Sequence, residues 1–182
     1  NGQVPGPTIR VTEGDRVRVI LKNELPESTA IHFHGLITPN AMDGVPYITQ
    51  PPIRPGQSFT YAFVARPAGT HMYHSHHGVD QITKGLLGAF IVRPKTGEPR
   101  VSADVVMVVN DGPLGFTLNG KSFPATQPIV VKQGQQIRIR YMNEGQTFHP
   151  MHLHGLVQRV IAKDGRRLKD SYLADTVNVA PG

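Results

Sequence analysis

Seven of the nine histidines in this chain fall into a pattern with chemical meaning. The stretch His149-Pro150-Met151-His152-Leu153-His154-Gly155 places three of them within six residues. Residues two apart on an extended strand face the same way, so His152 and His154 can reach a metal together. His149 stands before Pro150, three residues from His152, and faces elsewhere. It suits a second, nearby metal. The same spacing recurs in His32-Phe33-His34-Gly35 and in His74-Ser75-His76. Imidazole suits copper, zinc, iron and nickel. Six paired imidazoles exceed what one ordinary site can use, so the pattern implies a multinuclear centre. One such pair is weak evidence, and three are strong. His71 and His77 lie off the pairs and read as surface or supporting residues rather than ligands.

The elements that must carry these side chains read as strands. Glycine (19) and proline (16) punctuate short β-rich runs. These are Thr8–Val11, Arg16–Leu21, Ser58–Val64, Leu86–Val92, Val105–Val109, Pro128–Val131, Gln136–Tyr141 and Leu156–Ala162. Val17-Arg18-Val19 and Ile137-Arg138-Ile139-Arg140 alternate with the period of a strand, and no segment has convincing helical periodicity. The expectation is an all-β sandwich or barrel protein.

The chain also repeats itself. Ile9-Arg10-Val11-Thr12-Glu13-Gly14 matches Ile129-Val130-Val131-Lys132-Gln133-Gly134. Asn23 and Glu24 match Asn143 and Glu144, and His32-Phe33-His34-Gly35-Leu36 matches His152-Leu153-His154-Gly155-Leu156. Each pair is offset by 120 residues without a gap. That period is too long for a solenoid and suits a duplicated domain, with units at 1–95 and 101–182 joined through 94–100. Val101–Leu118 has no counterpart before Asn1. Val179-Ala180-Pro181-Gly182 matches Ile53-Arg54-Pro55-Gly56, which in the first copy leads on to His74-Ser75-His76. The expectation is therefore a fragment, cut at both ends, with an exposed sheet edge in the second copy and a tendency to associate.

Composition excludes other classes. No apolar run is long enough for a membrane span, and the first residues are not a signal peptide. The net charge of +6 is scattered. Arg16/Arg18 and Arg138/Arg140 have period 2 and read as the wet faces of strands. Aromatic residues do not interleave with these bases as a nucleic-acid platform requires. The chain has no cysteine, so it has no disulfide framework.

These motifs resemble those of the multicopper oxidases, the laccase-like enzymes built from cupredoxin domains. The resemblance rests on His32-Phe33-His34-Gly35, Tyr73-His74-Ser75-His76 and His149-Pro150-Met151-His152-Leu153-His154-Gly155, and covers essentially the whole chain. The family often has tryptophan where Phe33 stands. The resemblance implies two cupredoxin-like Greek-key β-sandwich domains, both incomplete here. It implies copper ligands: His32 and His152 for type 2, His34, His74, His76 and His154 as four of six for type 3, and His149 for type 1. The trinuclear centre would lie between domain copies. The short gap between His76 and His149 favours the two-domain class, in which that interface joins neighbouring subunits of a homotrimer. The absence of cysteine near His74 and His76 argues against copper nitrite reductases. Asp43, in Met42-Asp43-Gly44-Val45-Pro46, stands where the family has an acid that assists proton delivery to oxygen; its alternative is an Asp-Gly turn residue. The implied partners are O₂ and a small reducing substrate such as a phenol, aromatic amine or metal ion, and the implied location is periplasmic or secreted.

The family's terminal His-Cys-His segment is missing. With no cysteine, this chain as written cannot make a blue-copper site, and it is expected to be inactive alone. A copper-binding or structural cupredoxin without oxidase turnover is the alternative. Cupins also use His-x-His, but they place a glutamate a few residues later, and none follows these pairs.

Overall fold

The computed structural model describes residues 2–182. Thirteen strands run through the described residues: β1 (Ile9–Thr12), β2 (Arg16–Lys22), β3 (Ile31–His34), β4 (Ser58–Val64), β5 (Gly69–Ser75), β6 (Leu87–Arg93), β7 (Ala103–Asn110), β8 (Thr117–Leu118), β9 (Ile137–Asn143), β10 (His149–His152), β11 (Gln158–Lys163), β12 (Arg166–Ala174) and β13 (Thr176–Val179). Helix among the described residues is confined to α1 (Val79–Thr83) and one 3-10 turn at Asn40–Met42. The chain is all-β, as its punctuation predicts. No helix among the described residues is long and apolar enough to cross a membrane.

In the first half, the sheet β1-β6-β5-β3 faces the pair β2-β4. Alternation along β2 turns Val17, Val19 and Leu21 inward and leaves Arg16 and Arg18 in water. Between the layers lie Phe33, Tyr61, Phe63 and Phe90, each 5% exposed or less. Phe33 sits 4.7 Å from Phe63 and meets Tyr61 and Phe90 edge-on. The residue between His32 and His34 is thus a core anchor, and it holds both histidines on the opposite face of β3.

The second half has the sheet β8-β7-β9 and the antiparallel pairs β10-β13 and β11-β12. The repeat survives as atoms. Asn23 Nδ2 donates to the carbonyls of Glu27 and Ile53, both at 2.8 Å, and Asn23 Oδ1 accepts from the Leu25 amide. Asn143, 120 residues on, does the same with Thr147 (2.8 Å), Val179 (2.9 Å) and the Gly145 amide. The bridge Thr29↔Ile53 becomes the pairing His149↔Val179.

Two sequence expectations fail, both because the halves pack together or lack a neighbour strand. Arg138 and Arg140 do not form a wet face. Arg140 is 7% exposed and binds Glu98, Asp104 and Thr70, while Arg138 binds Glu98 and the Pro99 carbonyl. This face of β9 packs on the first half: Val108 and Met142 share a buried cluster with Met72, Leu87 and Ala89. Pro128–Val131 is not a strand. Its repeat partner β1 is held by a parallel neighbour, β6. The described residues put no strand beside 128–131, and a β-branched run without a backbone partner cannot satisfy its amides as a sheet. Val130 stays 86% exposed, so this stretch is an exposed apolar segment.

Candidate metal centre

The first half gathers four of the predicted ligands. β3 and β5 are antiparallel, with His32 opposite His74 and His34 opposite Met72. Cross-strand neighbours lie close enough for their side chains to meet. His74 and His76 follow the same alternation and extend the patch. The His32 ring lies 5.6 Å from His34, 5.4 Å from His74 and 5.5 Å from His76. One nitrogen from each of His32, His34 and His74 falls within 4.8 Å of the others. His34 Nδ1 and His74 Nε2 approach to 3.4 Å. The donor set and its convergence fit a soft-to-borderline metal ion.

Backbone carbonyls decide which nitrogens are free. His32 Nδ1–H donates to the Asp43 carbonyl at 2.7 Å, with the Asp43 carboxylate at 3.6 Å. His74 Nδ1–H donates to the Ser75 carbonyl at 2.9 Å. Both leave Nε2 for a metal. The Asp43 turn reaches His32 because Gly44 has φ +84 and no side chain: a Cβ there would run into the Ile31 backbone. Burial, reinforced by the neighbouring histidines, lowers the His34 pKa. His74 is pulled down to about 4, chiefly by burial. Both rings are therefore neutral, the ligating form, at neutral pH.

A buried polar network fixes the His74-Ser75-His76 strand from behind. Ser75 Oγ donates to Gln81 Oε1 at 2.6 Å, Thr29 Oγ1 donates to the same oxygen, and Gln81 Nε2 donates to the Ser28 carbonyl. Gln81 sits on α1, where no spacing in the sequence marks it. His77 and His71 are not part of the cluster. His77 stands on an open cleft of about 480 Å³, its ring 6.3 Å from Tyr47. His71 is not a surface residue: it is 3% exposed and bonds the Pro67 carbonyl. The Asp164-Gly165 turn between β11 and β12 lies over it, at a contact where Gly165 has no room for a Cβ.

The second half repeats the arrangement without completing it. His152 and His154 meet at 4.9 Å between ring centroids and are both exposed. His152 Nδ1 faces Asp175, at 3.1 Å from a carboxylate oxygen and 3.3 Å from its carbonyl. Asp175 is thus the twin of Asp43. The gapless 120-residue alignment passes over it because the loops on both sides differ in length: Asp43 stands ten residues before Ile53, whereas Asp175 stands four before Val179. His149 turns away from this pair, and its Nε2 meets Asp111 at 3.1 Å. Among the described residues, the histidine rings of the two halves make no contact with one another. His32 and His152 do not come together within one chain.

Multicopper oxidase family models match residues 1–97 and 98–182. A putative laccase-18 of Oryza sativa subsp. indica is 34% identical over all of this chain and 36% of its own length. Copper resistance protein A of Escherichia coli is 42% identical over 54% of this chain and 16% of its own length. The structure of a blue copper oxidase from Nitrosomonas europaea superposes with a TM-score of 0.93 at 40% identity, covering 100% of this chain and 64% of that one. The chain therefore spans only part of the length of the relatives it matches. Two family models laid end to end over a duplicated, histidine-lined cupredoxin-like fold leave one conclusion, that this chain belongs to the multicopper oxidase family.

Proposed function

We propose that this chain carries copper ligands of a laccase-type oxidase, and that the whole protein couples one-electron oxidation of phenols, aromatic amines or metal ions to reduction of O₂ to water. The observation that carries this reading is the convergence of His32, His34, His74 and His76, with the Nδ1 atoms of His32 and His74 tied to carbonyls. Copper, when bound, supplies the one-electron redox chemistry and the affinity for oxygen. His32 and His152 are proposed as type 2 ligands, His34, His74, His76 and His154 as type 3 ligands, and His149 as a type 1 ligand. Reduction of O₂ to water consumes protons. The Asp43 carboxylate is proposed to pass them from solvent; its partial exposure and its distance of 3.6 Å from His32 Nδ1 support that role.

The separation of the two histidine groups within one chain supports the homotrimer. An exposed His152/His154 pair can meet a His32/His34 pair of a second copy, and the same contact closes around a ring. Light scattering of the whole protein that shows only monomer would refute this. A periplasmic or secreted location follows from the family resemblance, and cell fractionation tests it.

The lack of any cysteine favours a second reading, a copper-binding cupredoxin protein without turnover. The two separate on whether translation past Gly182 gives a His-Cys-His segment. For the 182-residue chain itself we expect weak copper binding, no blue absorption and no phenol turnover. The test is copper titration with paramagnetic resonance on this chain and on His32→Ala and His152→Ala. A type 2 signal and affinity unchanged in either variant would refute the ligand assignment.

A further inference from the structure

His32 and His74 have their Nδ1 atoms tied to the backbone, and His152 Nδ1 likewise faces Asp175. His149 is held the other way round, by Nε2. We infer that Asp111 is the positioning residue of His149: it fixes the imidazole with its proton on Nε2, so that Nδ1 is the nitrogen offered to a metal.

Asp111 Oδ1 accepts from the Gln146 amide at 2.6 Å. Oδ2 accepts from the Thr147 amide at 3.0 Å and from the Thr147 hydroxyl. The fourth contact is His149 Nε2, 3.1 Å from Oδ2. The two amides can only donate, and an ionised carboxylate can only accept. An imidazole with its lone pair on Nε2 would face Oδ2 repulsively, so the proton belongs on Nε2. The Asp111 side chain is 11% exposed and that of His149 14%, so water does not replace the contact. The opposition of burial is outweighed by Thr147, the two amides and His149, and Asp111 keeps a pKa below its ordinary value.

The fold builds this contact on purpose-fitted backbone. Asp111 follows the last residue of β7, and His149 opens β10. The loop between β9 and β10 wraps the carboxylate closely enough that a Cβ on Gly145 would stand 2.8 Å from it. Phe116 meets the His149 ring edge-on at 6.0 Å. The imidazole therefore has one orientation, set from Nε2. The motif spacing places His149 near a metal, but Asp111 decides which nitrogen faces it.

The inference gains its functional meaning from the reading of His149 as a blue-copper ligand, but its test needs no metal. The metal-free 182-residue chain, labelled with ¹⁵N-histidine, is examined by long-range ¹H–¹⁵N correlation at neutral pH. We expect His149 to be the Nε2–H form, with a proton that exchanges roughly 10- to 100-fold more slowly than in Asp111→Ala, as a charge-assisted hydrogen bond requires. Thr147→Val removes a neighbouring bond to the same carboxylate and should keep the slow proton. An Nδ1–H His149 in the unsubstituted chain overturns the inference without any variant. Equal loss in Thr147→Val and Asp111→Ala also overturns it, because the effect would then be loop packing. Failure of the copper reading looks different: His149→Ala would leave metal uptake by the whole protein unchanged.

Discussion

Glutamate 144 is a carboxylic acid in the wrong place for a charge, and the cost can be measured. It follows β9 on the face that carries Met142 into the contact between the halves. It is 6% exposed, and its Oε1 has no hydrogen-bond partner among the described residues. Burial pushes its pKa from 4.5 up to about 8. The folded chain then keeps a proton that the unfolded chain releases, so stability falls as pH rises from about 4.5 to about 8 and is lost no further above that. At about 1.4 kcal/mol per pH unit, the whole loss is at most about 5 kcal/mol, large beside the 5–15 kcal/mol typical of a domain. Glu144→Gln keeps the shape and removes the ionisation. Urea unfolding of both proteins at about pH 5, 7 and 9 isolates this one group, since all other titrations are shared. Near pH 5 the two should be within about 1 kcal/mol; by pH 9 the variant should be more stable by several kcal/mol. Parallel stability curves across this range would refute the claim that Glu144 is buried and unpaired.

Three further outcomes follow from the same structure. Arg140→Met should destabilise the chain by about 1.5–3 kcal/mol, because it removes charged hydrogen bonds to Glu98 and Asp104 at the contact between the halves while Arg138 and Arg10 still face those carboxylates; calorimetry with unchanged melting would contradict the network. Phe33→Ala should cost about 3–5 kcal/mol by opening a cavity between Tyr61, Phe63 and Phe90, measured by chemical denaturation. The His74 ring, with a pKa near 4, should titrate well below an exposed histidine in a ¹H NMR titration of the metal-free chain. An unfolded His74 takes its proton near pH 6.5, so its burial costs stability as pH falls from about 6.5 towards 4.

Local rules made much of this protein legible in advance. Glycine and proline punctuation and period-2 alternation gave the all-β class, because strand identity depends on nearest neighbours and on one buried face. The His-x-His spacing placed pairs of imidazoles together, because alternation is a local property of the strand. The 120-residue repeat foretold the twin clamps of Asn23 and Asn143. What the sequence could not fix were contacts made by chain segments far apart. Glu24 and Glu144 are repeat partners, yet the side chain of Glu24 is 74% exposed beside Lys22 while Glu144 is buried, its Oε1 without a partner among the described residues. Arg16 and Arg18 lie in water, whereas Arg140, on an equally alternating strand, is buried against Glu98 and Asp104. Ile9–Thr12 is a strand and Ile129–Val131 is not, because only the first has a neighbour to pair with. Asp111 and Gln81 carry no spacing signal at all. Each of these differences is made when one half packs on the other or a loop closes on a distant strand, and burial then sets charge, tautomer and pairing that residue type and spacing leave open.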